Sequence, residues 1–250
     1  MRLKEKVALV TGSANGIGRT VALALAGEGA HVVVNDLPSQ QERANDVSQG
    51  IVKMGRESMV CLADVSNSQG VNQMAERILQ KFGRLDILVN NAGFPSVSRV
   101  VDMTDEQWDS VIDVCLRGTF LCCRAFGKSM IRQRSGKILN VASNMVWSSV
   151  PGFAQYSAAK AGIVAFTKVF ALEVAEYHVN VNALAPGFTG TEGAISRSPA
   201  DHLKRMETEI PWGRIGRPED LLGAVMLLVS ADGDYITGET ICVSGGFTLR

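Results

Sequence analysis

The stretch Val7-Ala-Leu-Val-Thr-Gly-Ser-Ala-Asn-Gly-Ile-Gly18 decides how this chain folds. Its first four residues are a short unbroken apolar run, the pattern of a strand buried on both faces of a parallel sheet. The run breaks at Thr11 into a glycine-rich turn, and an apolar-periodic helix follows through Val21, Leu25 and Ala26. In that setting Gly12 permits the tight turn, Gly16 lets backbone approach a pyrophosphate, and Gly18 lets helix and strand pack closely. The helix start around Asn15 and Ile17 would turn free N–H groups towards those phosphates. A glycine turn can also be a plain connection; the strand before it and the helix after it favour the binding role.

Working outward, His31-Val-Val-Val-Asn-Asp36 is the second strand, with Asp36 at its carboxyl end, 18 residues after Gly18. A carboxylate there can accept from both ribose hydroxyls of NAD and repels the extra phosphate of NADP. Neither Ser13 nor Leu37 supplies a basic partner for that phosphate, so the expected cofactor is NAD. A polar helix over 40–54 leads to a strand over 58–62, then to Asp64-Val65, where Asp64 is placed for the adenine amino group or, with Ser66, for a helix N-cap. A helical period runs from Val71 to Phe82, and residues 86–90 form a fourth strand that ends in Asn90-Asn-Ala92-Gly93. Gly93 permits close approach to a ligand, and the paired asparagines can hold the turn.

A long helical stretch over 104–133 opens with Asp105 and Glu106 in its first turn. The strand over 137–142 delivers Ser143. A further helix carries Tyr156 and Lys160, and a strand over 180–185 runs into Pro186-Gly187-Phe-Thr189-Gly-Thr191. From 188 to 211 strand character is lost, which suits a substrate lid of short helices. A helix from Pro218 to Val229 and a strand over 240–243 complete the chain. Alternating strands and helices without a linker or repeat indicate the α/β class: one Rossmann-type, doubly wound parallel sheet with helices on both faces, spanning 1–250.

Tyr156 and Lys160 are four residues apart in an Ala-rich helix, so they share one face. An ammonium beside a phenol favours the phenolate, which makes Tyr156 a candidate acid/base. Ser143, 13 residues earlier, can donate to a substrate oxygen while Tyr156 exchanges its proton. Taken alone, a Tyr-x-x-x-Lys spacing is as common as any surface pair.

Composition narrows the classes. Lys and Arg number 25, as do Asp and Glu, so no net charge favours nucleic acid or an anionic membrane. Five cysteines without a Cys-x-x-Cys pair suit reduced thiols in a cytoplasmic protein, and no metal-binding spacing stands out. The start is unlike a signal peptide and no segment is long enough to span a bilayer. A soluble cytoplasmic protein is expected.

Taken together and in order, Thr11-Gly-x-x-x-Gly-x-Gly18, Asn90-Asn-Ala-Gly93, Ser143, Tyr156-x-x-x-Lys160, Pro186-Gly187 with Thr191, and Gly245-Gly246 resemble the classical short-chain dehydrogenase/reductase family. The resemblance covers nearly the whole chain. It implies that Tyr156 is the catalytic acid/base, that Ser143 polarises the carbonyl, and that Lys160 assists Tyr156 and binds the nicotinamide ribose. It further places the backbone after Pro186 and the Thr191 hydroxyl at the carboxamide, Asn90 along the cofactor ribose, and Asp64-Val65 at the adenine. A homotetramer built on the Tyr156 helix and its predecessor is implied as well.

Two positions depart from the pattern. Family members usually carry an asparagine where this chain has Cys115, and that amide holds a water joining the lysine to solvent. The bacterial 3-oxoacyl-carrier-protein reductases, similar overall, dock their acidic carrier with two basic residues; Arg134 matches one, but Tyr177 stands in place of the other. The apolar candidates for a substrate pocket are Phe94, Pro95, Met145, Trp147, Phe153, Phe188, Ile195 and Met206. The expected activity is therefore NAD-dependent interconversion of an apolar or alicyclic secondary alcohol and its ketone. A 3-oxoacyl thioester reductase preferring NADPH, and a dinucleotide sensor without turnover, are the competing readings.

Overall fold

The computed structural model of the chain describes residues 1–249; Arg250, the last residue of the expected domain, lies outside them. Strands β1 (Val7–Thr11), β2 (His31–Asp36), β3 (Ser58–Leu62), β4 (Ile87–Asn90), β5 (Gly136–Val141), β6 (Val179–Pro186) and β7 (Thr240–Val243) form one parallel sheet in the spatial order 3-2-1-4-5-6-7. Alternate side chains of each strand enter opposite cores. Ala8 and Val10 of β1 join one cluster, and Val7 and Leu9 join the other. Helices α1 (Gly16–Gly27) and α2 (Gln41–Lys53) cover the first face. There Leu25 and Ile51 are fully buried, each burial contributing about 2 kcal/mol. The other face is covered by α3 (Ser68–Phe82), which buries Ile78 in the second cluster.

The long helical stretch is two helices. Helix α4 (Asp105–Ile112) starts with a reciprocal cap, in which Thr104 Oγ1 accepts from Gln107 N and Gln107 Oε1 accepts from Thr104 N. A π-helical segment, Asp113–Arg117, then separates it from α5 (Gly118–Gln133). Helix α6 (Ala154–Val174) packs beside α5, and α7 (Glu192–Arg197), α8 (Ala200–Glu209) and α9 (Leu222–Val229) follow. No helix among the described residues is long and apolar enough to cross a membrane.

Three details differ from the sequence expectation. Asn67, not Asp64 or Ser66, caps α3 by accepting from Gln69 N and Gly70 N; Asp64 instead binds Ser66 N and Oγ in a local turn. Asp86 precedes β4 rather than belonging to it; its buried carboxylate takes the Val7 N–H at 2.9 Å and pairs with Arg84. The helix from Pro218 begins as a 3-10 turn, Pro218–Leu221, before α9.

β1 and β4 exchange no loop, yet their carboxyl ends are laced together. Thr11 Oγ1 accepts from Asn91 N and Ala92 N, both at 3.0 Å, while Asn91 Nδ2 donates to the carbonyls of Thr11 and Gly12 at 2.9 Å. Asn91→Ala removes the donor to two carbonyls. Its unfolding free energy should fall by about 1–3 kcal/mol in urea titration, without a change in slope.

Candidate active site

The carboxyl ends of β1, β4, β5 and β6 meet at a crevice where the strand order turns back on itself, since β2 and β4 leave β1 on opposite sides. Gly12 and Gly16 lie at φ +61° and +52°, a region that penalises a side chain. A Cβ on Gly12 would come within 2.9 Å of Ala92 Cα, and one on Gly18 would collide with the Gly12 carbonyl. A Cβ on Gly16 would lie 3.2 Å from the Thr191 methyl, so the glycine loop faces the end of β6 across a narrow gap. Asn15 is the N-cap of α1 but gives it no side-chain cap, and Ile17 packs on the core behind the loop.

Asp36 is fixed by two main-chain donors. Its Oδ2 accepts from Ala14 N and its Oδ1 from Leu37 N, each at 2.9 Å, so the carboxylate is tied to the glycine loop. Both oxygens keep lone pairs for further donors. The positive-φ glycines, the free amides of α1 and this anchored carboxylate fit the adenosine and pyrophosphate of a dinucleotide. Val65 is buried against Gly118, and the exposed Asp64 is engaged with Ser66.

Asn90 ends β4 at the crevice. Its side chain turns inward, donating to Asn140 Oδ1 at 2.8 Å and to Cys123 Sγ at 3.2 Å, and Asn140 in turn donates to Thr167 Oγ1 at 2.9 Å. Burial pushes the neighbouring Cys122 thiol up to about 12 and holds the Cys123 thiol well above the ordinary thiol range, so both stay protonated.

The chemistry-bearing trio comes from β5 and α6. Ser143 follows β5 in extended conformation; its Oγ accepts from Met145 N at 3.2 Å and donates to Asn144 Oδ1 at 3.3 Å. Lys160 is 3 % exposed, and its Nζ donates to the Val141 carbonyl at 2.6 Å while sitting 5.4 Å from the centre of the half-buried Tyr156 ring. The ammonium thus ties α6 to the end of β5 and faces the phenol. Beside it, a Cβ on Gly93 would lie 3.5 Å from Lys160 Nζ and 2.9 Å from Cys115 Sγ. The lysine, Gly93 and Cys115 therefore converge on one spot.

At the far side, Gly187 N donates to Val243 O, and Thr189 pairs with Gly216 in a one-residue bridge. Thr191 Oγ1 accepts from Ala194 N at 3.1 Å as the cap of α7, which leaves its hydroxyl proton for another acceptor. The segment 188–211 folds into the short α7 and α8. Phe188 meets His202 edge-on at 5.5 Å, and Met206 is buried. A cavity of about 210 Å³ lies between Phe188, Ile210, Trp212 and Leu221. Of the apolar pocket candidates only Phe188 lines it, whereas Phe94, Trp147 and Ile195 are exposed. One group near the glycine loop had no signal in motif or spacing: Arg43 of α2, whose Nη1 donates to Asn15 Oδ1 at 2.6 Å.

Comparison with known proteins agrees with this geometry. A family model described as "Enoyl-(Acyl carrier protein) reductase" matches residues 12–248. A 3-oxoacyl-[acyl-carrier-protein] reductase of Synechocystis is 42% identical over 99% of this chain and 98% of its own. A solved structure of a putative short-chain alcohol dehydrogenase from Sinorhizobium meliloti superposes with a TM-score of 0.92, 34% identity and coverage of 99% and 98%. A gluconate 5-dehydrogenase from Burkholderia cenocepacia, in complex with NADP and tartrate, gives 0.94 at 32% identity, covering 100% of this chain and 97% of that one.

Cys115 lies wholly buried within the π segment, its Sγ 3.9 Å from the Phe94 carbonyl, while Thr119 Oγ1 takes up its own carbonyl. A thiol is a weak donor and acceptor, so this position offers little to hold a relay water between Lys160 and solvent. Cys115→Asn should raise turnover, with a larger solvent isotope effect in the parent than in the variant. Unchanged values in a folded variant that binds dinucleotide normally would show that the proton leaves by another route.

Proposed function

Because the chain belongs to the short-chain dehydrogenase/reductase family, we propose that it interconverts a 3-oxoacyl thioester and the corresponding 3-hydroxyacyl thioester. The observation that carries this substrate class is the 42% identity, over nearly the full length of both chains, to a 3-oxoacyl-carrier-protein reductase. A dinucleotide held by the glycine loop and Asp36 would supply the hydride for reduction and accept it in the reverse direction. Ser143 Oγ donates to the ketone oxygen, polarising the carbonyl, and Tyr156 delivers the proton that completes the alcohol. Lys160, held by Val141 O, keeps a positive charge near the phenolate left behind. This reading narrows the alcohol/ketone activity expected from the sequence to an acyl substrate and sets aside a sensor without turnover, which has no use for the trio.

The acyl group need not arrive on a carrier protein. Arg134 donates to the Glu176 carbonyl at 3.0 Å, and its guanidinium faces the Tyr177 ring at 5.9 Å, so the one matching basic residue is already engaged. Steering of an acidic partner should be weak, and small thioesters or free ketones should serve as well. A homotetramer is supported by apolar side chains left outside on α5 and α6, among them Phe120, Val169 and Leu172 at 82 % exposure.

For the cofactor, the anchored Asp36 supports NAD(H), although the gluconate 5-dehydrogenase neighbour was solved with NADP. Its carboxylate accepts well from ribose hydroxyls and poorly tolerates a phosphate. NAD(H) should be preferred by about tenfold, about 1.4 kcal/mol, and Asp36→Ala should narrow the gap mainly by weakening NAD(H). Equal catalytic efficiency with both dinucleotides would sink this.

The direct test follows NADH absorbance with a 3-oxoacyl thioester and with unrelated ketones. Tyr156→Phe keeps the ring and removes the transferable proton, so turnover should drop by roughly 10² to 10⁴ while dinucleotide affinity holds. A variant that keeps half its activity would place the acid/base elsewhere, and a parent inactive on every thioester would remove the substrate assignment.

A further inference from the structure

Asn144, directly after Ser143, is an amide with unspent hydrogen-bonding capacity at the edge of the site. Its main chain is fixed: the Asn144 carbonyl accepts from Trp147 N at 3.0 Å and from Ser148 N and Ser148 Oγ, both at 3.1 Å. The 3-10 turn that it opens, Asn144–Val146, takes its cap from Ser143, so the turn asks nothing of the Asn144 side chain. The residue is nonetheless drawn in, only 7 % exposed. Its Oδ1 accepts the Ser143 hydroxyl at 3.3 Å, while its Nδ2 has no partner among the described residues. Nor is Nδ2 one of the orphaned polar atoms sealed away from solvent, so it opens towards the crevice at the end of β5. An amide NH2 brings two donors. Drawing an amide out of water costs free energy unless its donors are used, and no described residue uses these two.

We propose that Asn144 Nδ2 donates to the second carbonyl of a 1,3-dicarbonyl substrate while Ser143 Oγ donates to the ketone being reduced, so that Asn144 selects 3-oxoacyl groups over simple ketones. This rests on the reading of the chain as a reductase of 3-oxoacyl thioesters, and it names the group that recognises the thioester carbonyl. In a 3-oxoacyl chain one methylene separates the two carbonyls. With both oxygens on one side they lie within a hydrogen-bond length of each other, and their dipoles oppose that conformer unless donors meet both. Ser143 and Asn144 are such a pair of donors, one hydrogen bond apart on a braced turn. Binding exchanges one long neutral bond for two: the Ser143 proton leaves Asn144 Oδ1 for the ketone oxygen, and Nδ2 takes up the thioester carbonyl. The terminal torsion of an asparagine is broad, so the amide can tilt to follow the substrate while the main chain stays still. A simple ketone fills only the Ser143 half and leaves the amide donors unused, the situation in which a hydrogen-bonding site discriminates. The carbonyl that Asn144 meets does not react, so the contact is the same in ground state and transition state and acts through KM.

Steady-state kinetics on the full chain with reduced dinucleotide would compare three probes: the N-acetylcysteamine thioester of 3-oxobutanoate, ethyl 3-oxobutanoate, and pentan-2-one, which lacks the second carbonyl. The readout is the ratio of kcat/KM between probes, in which any general loss at Ser143 cancels. The parent should favour both dicarbonyls over pentan-2-one by about tenfold, and Asn144→Ala should erase about that factor through the KM ratio. Asn144→Asp keeps the shape and the acceptor for Ser143 but carries no N–H at neutral pH, so it should lose the preference as well; it also serves if the alanine variant fails to fold. An equal fall on all three probes would make Asn144 a support for Ser143, and a preference kept by either folded variant would place the recognition elsewhere; each result overturns the proposal. A preference lost through kcat with KM unchanged overturns it too. A parent that reduces pentan-2-one as well as the dicarbonyls also overturns it, while leaving the oxidoreductase reading intact. A parent that prefers the ester but is inactive on the thioester would uphold the second-carbonyl site and remove the thioester assignment. A parent inactive on all three overturns both.

Discussion

Everything at the crevice hangs from the lacing of β1 to β4 by Thr11 and Asn91. Parallel strands cannot be joined by a tight turn, so their carboxyl ends need another means of staying aligned. Here one hydroxyl takes two amides and one side-chain amide serves two carbonyls, and all six groups come from the end of β1 and the loops that follow β1 and β4. The glycine loop becomes part of the sheet. Asp36 is positioned through Ala14 and Lys160 through Val141, so side chains distant in sequence share one rigid reference. Because a Cβ at Gly12 would meet Ala92 at 2.9 Å, the same closeness explains why that position must be glycine.

Behind the crevice lies a buried polar chain, Asn90 to Asn140 to Thr167, with Cys123 at its side. Such groups cost free energy unless paired, and most of these are. The exception is Asn90 Oδ1, which has no partner among the described residues. The chain links β4, β5 and α6, three of the elements that frame the catalytic trio, and a polar network of this kind favours one register of those elements over others.

Much of this was readable from residues whose type answers a local demand. The apolar run at Val7, the turn at Thr11 and the acid at Asp36 each follow from backbone or burial requirements, and the sheet came with them. Tyr156 and Lys160 share a helix face by simple periodicity. The inward turn of Asn90 was not readable, because an asparagine at a strand end satisfies a ligand or a neighbour equally well, and here Asn140 arrives from another strand. Asn67 does not stand out as the cap in the sequence, since Asp64 and Ser66 have the same chemistry within three residues. Arg43 is invisible for a further reason: its partner Asn15 lies at the start of a different helix, and nothing in spacing along the chain reports a contact between two helices on one face of the sheet. The apolar pocket residues remained scattered, because hydrophobicity alone does not say which neighbour a side chain will meet.

The π segment between α4 and α5 carries a consequence for the helical register. A wider turn absorbs one residue more than an α-helical turn, so everything after it is rotated by about 100° relative to an unbroken helix. Val111, the buried residue of α4, and the buried stripe of α5 with Leu121 and Phe126 are therefore set in different phase, both directed inward. The extra residue works as a phase shifter. Removing one residue between 113 and 117 would leave the length of the rod almost unaltered, yet would swing one helix's inner face sideways and carry Cys115 away from Gly93. Within this stretch the count of residues encodes an angle.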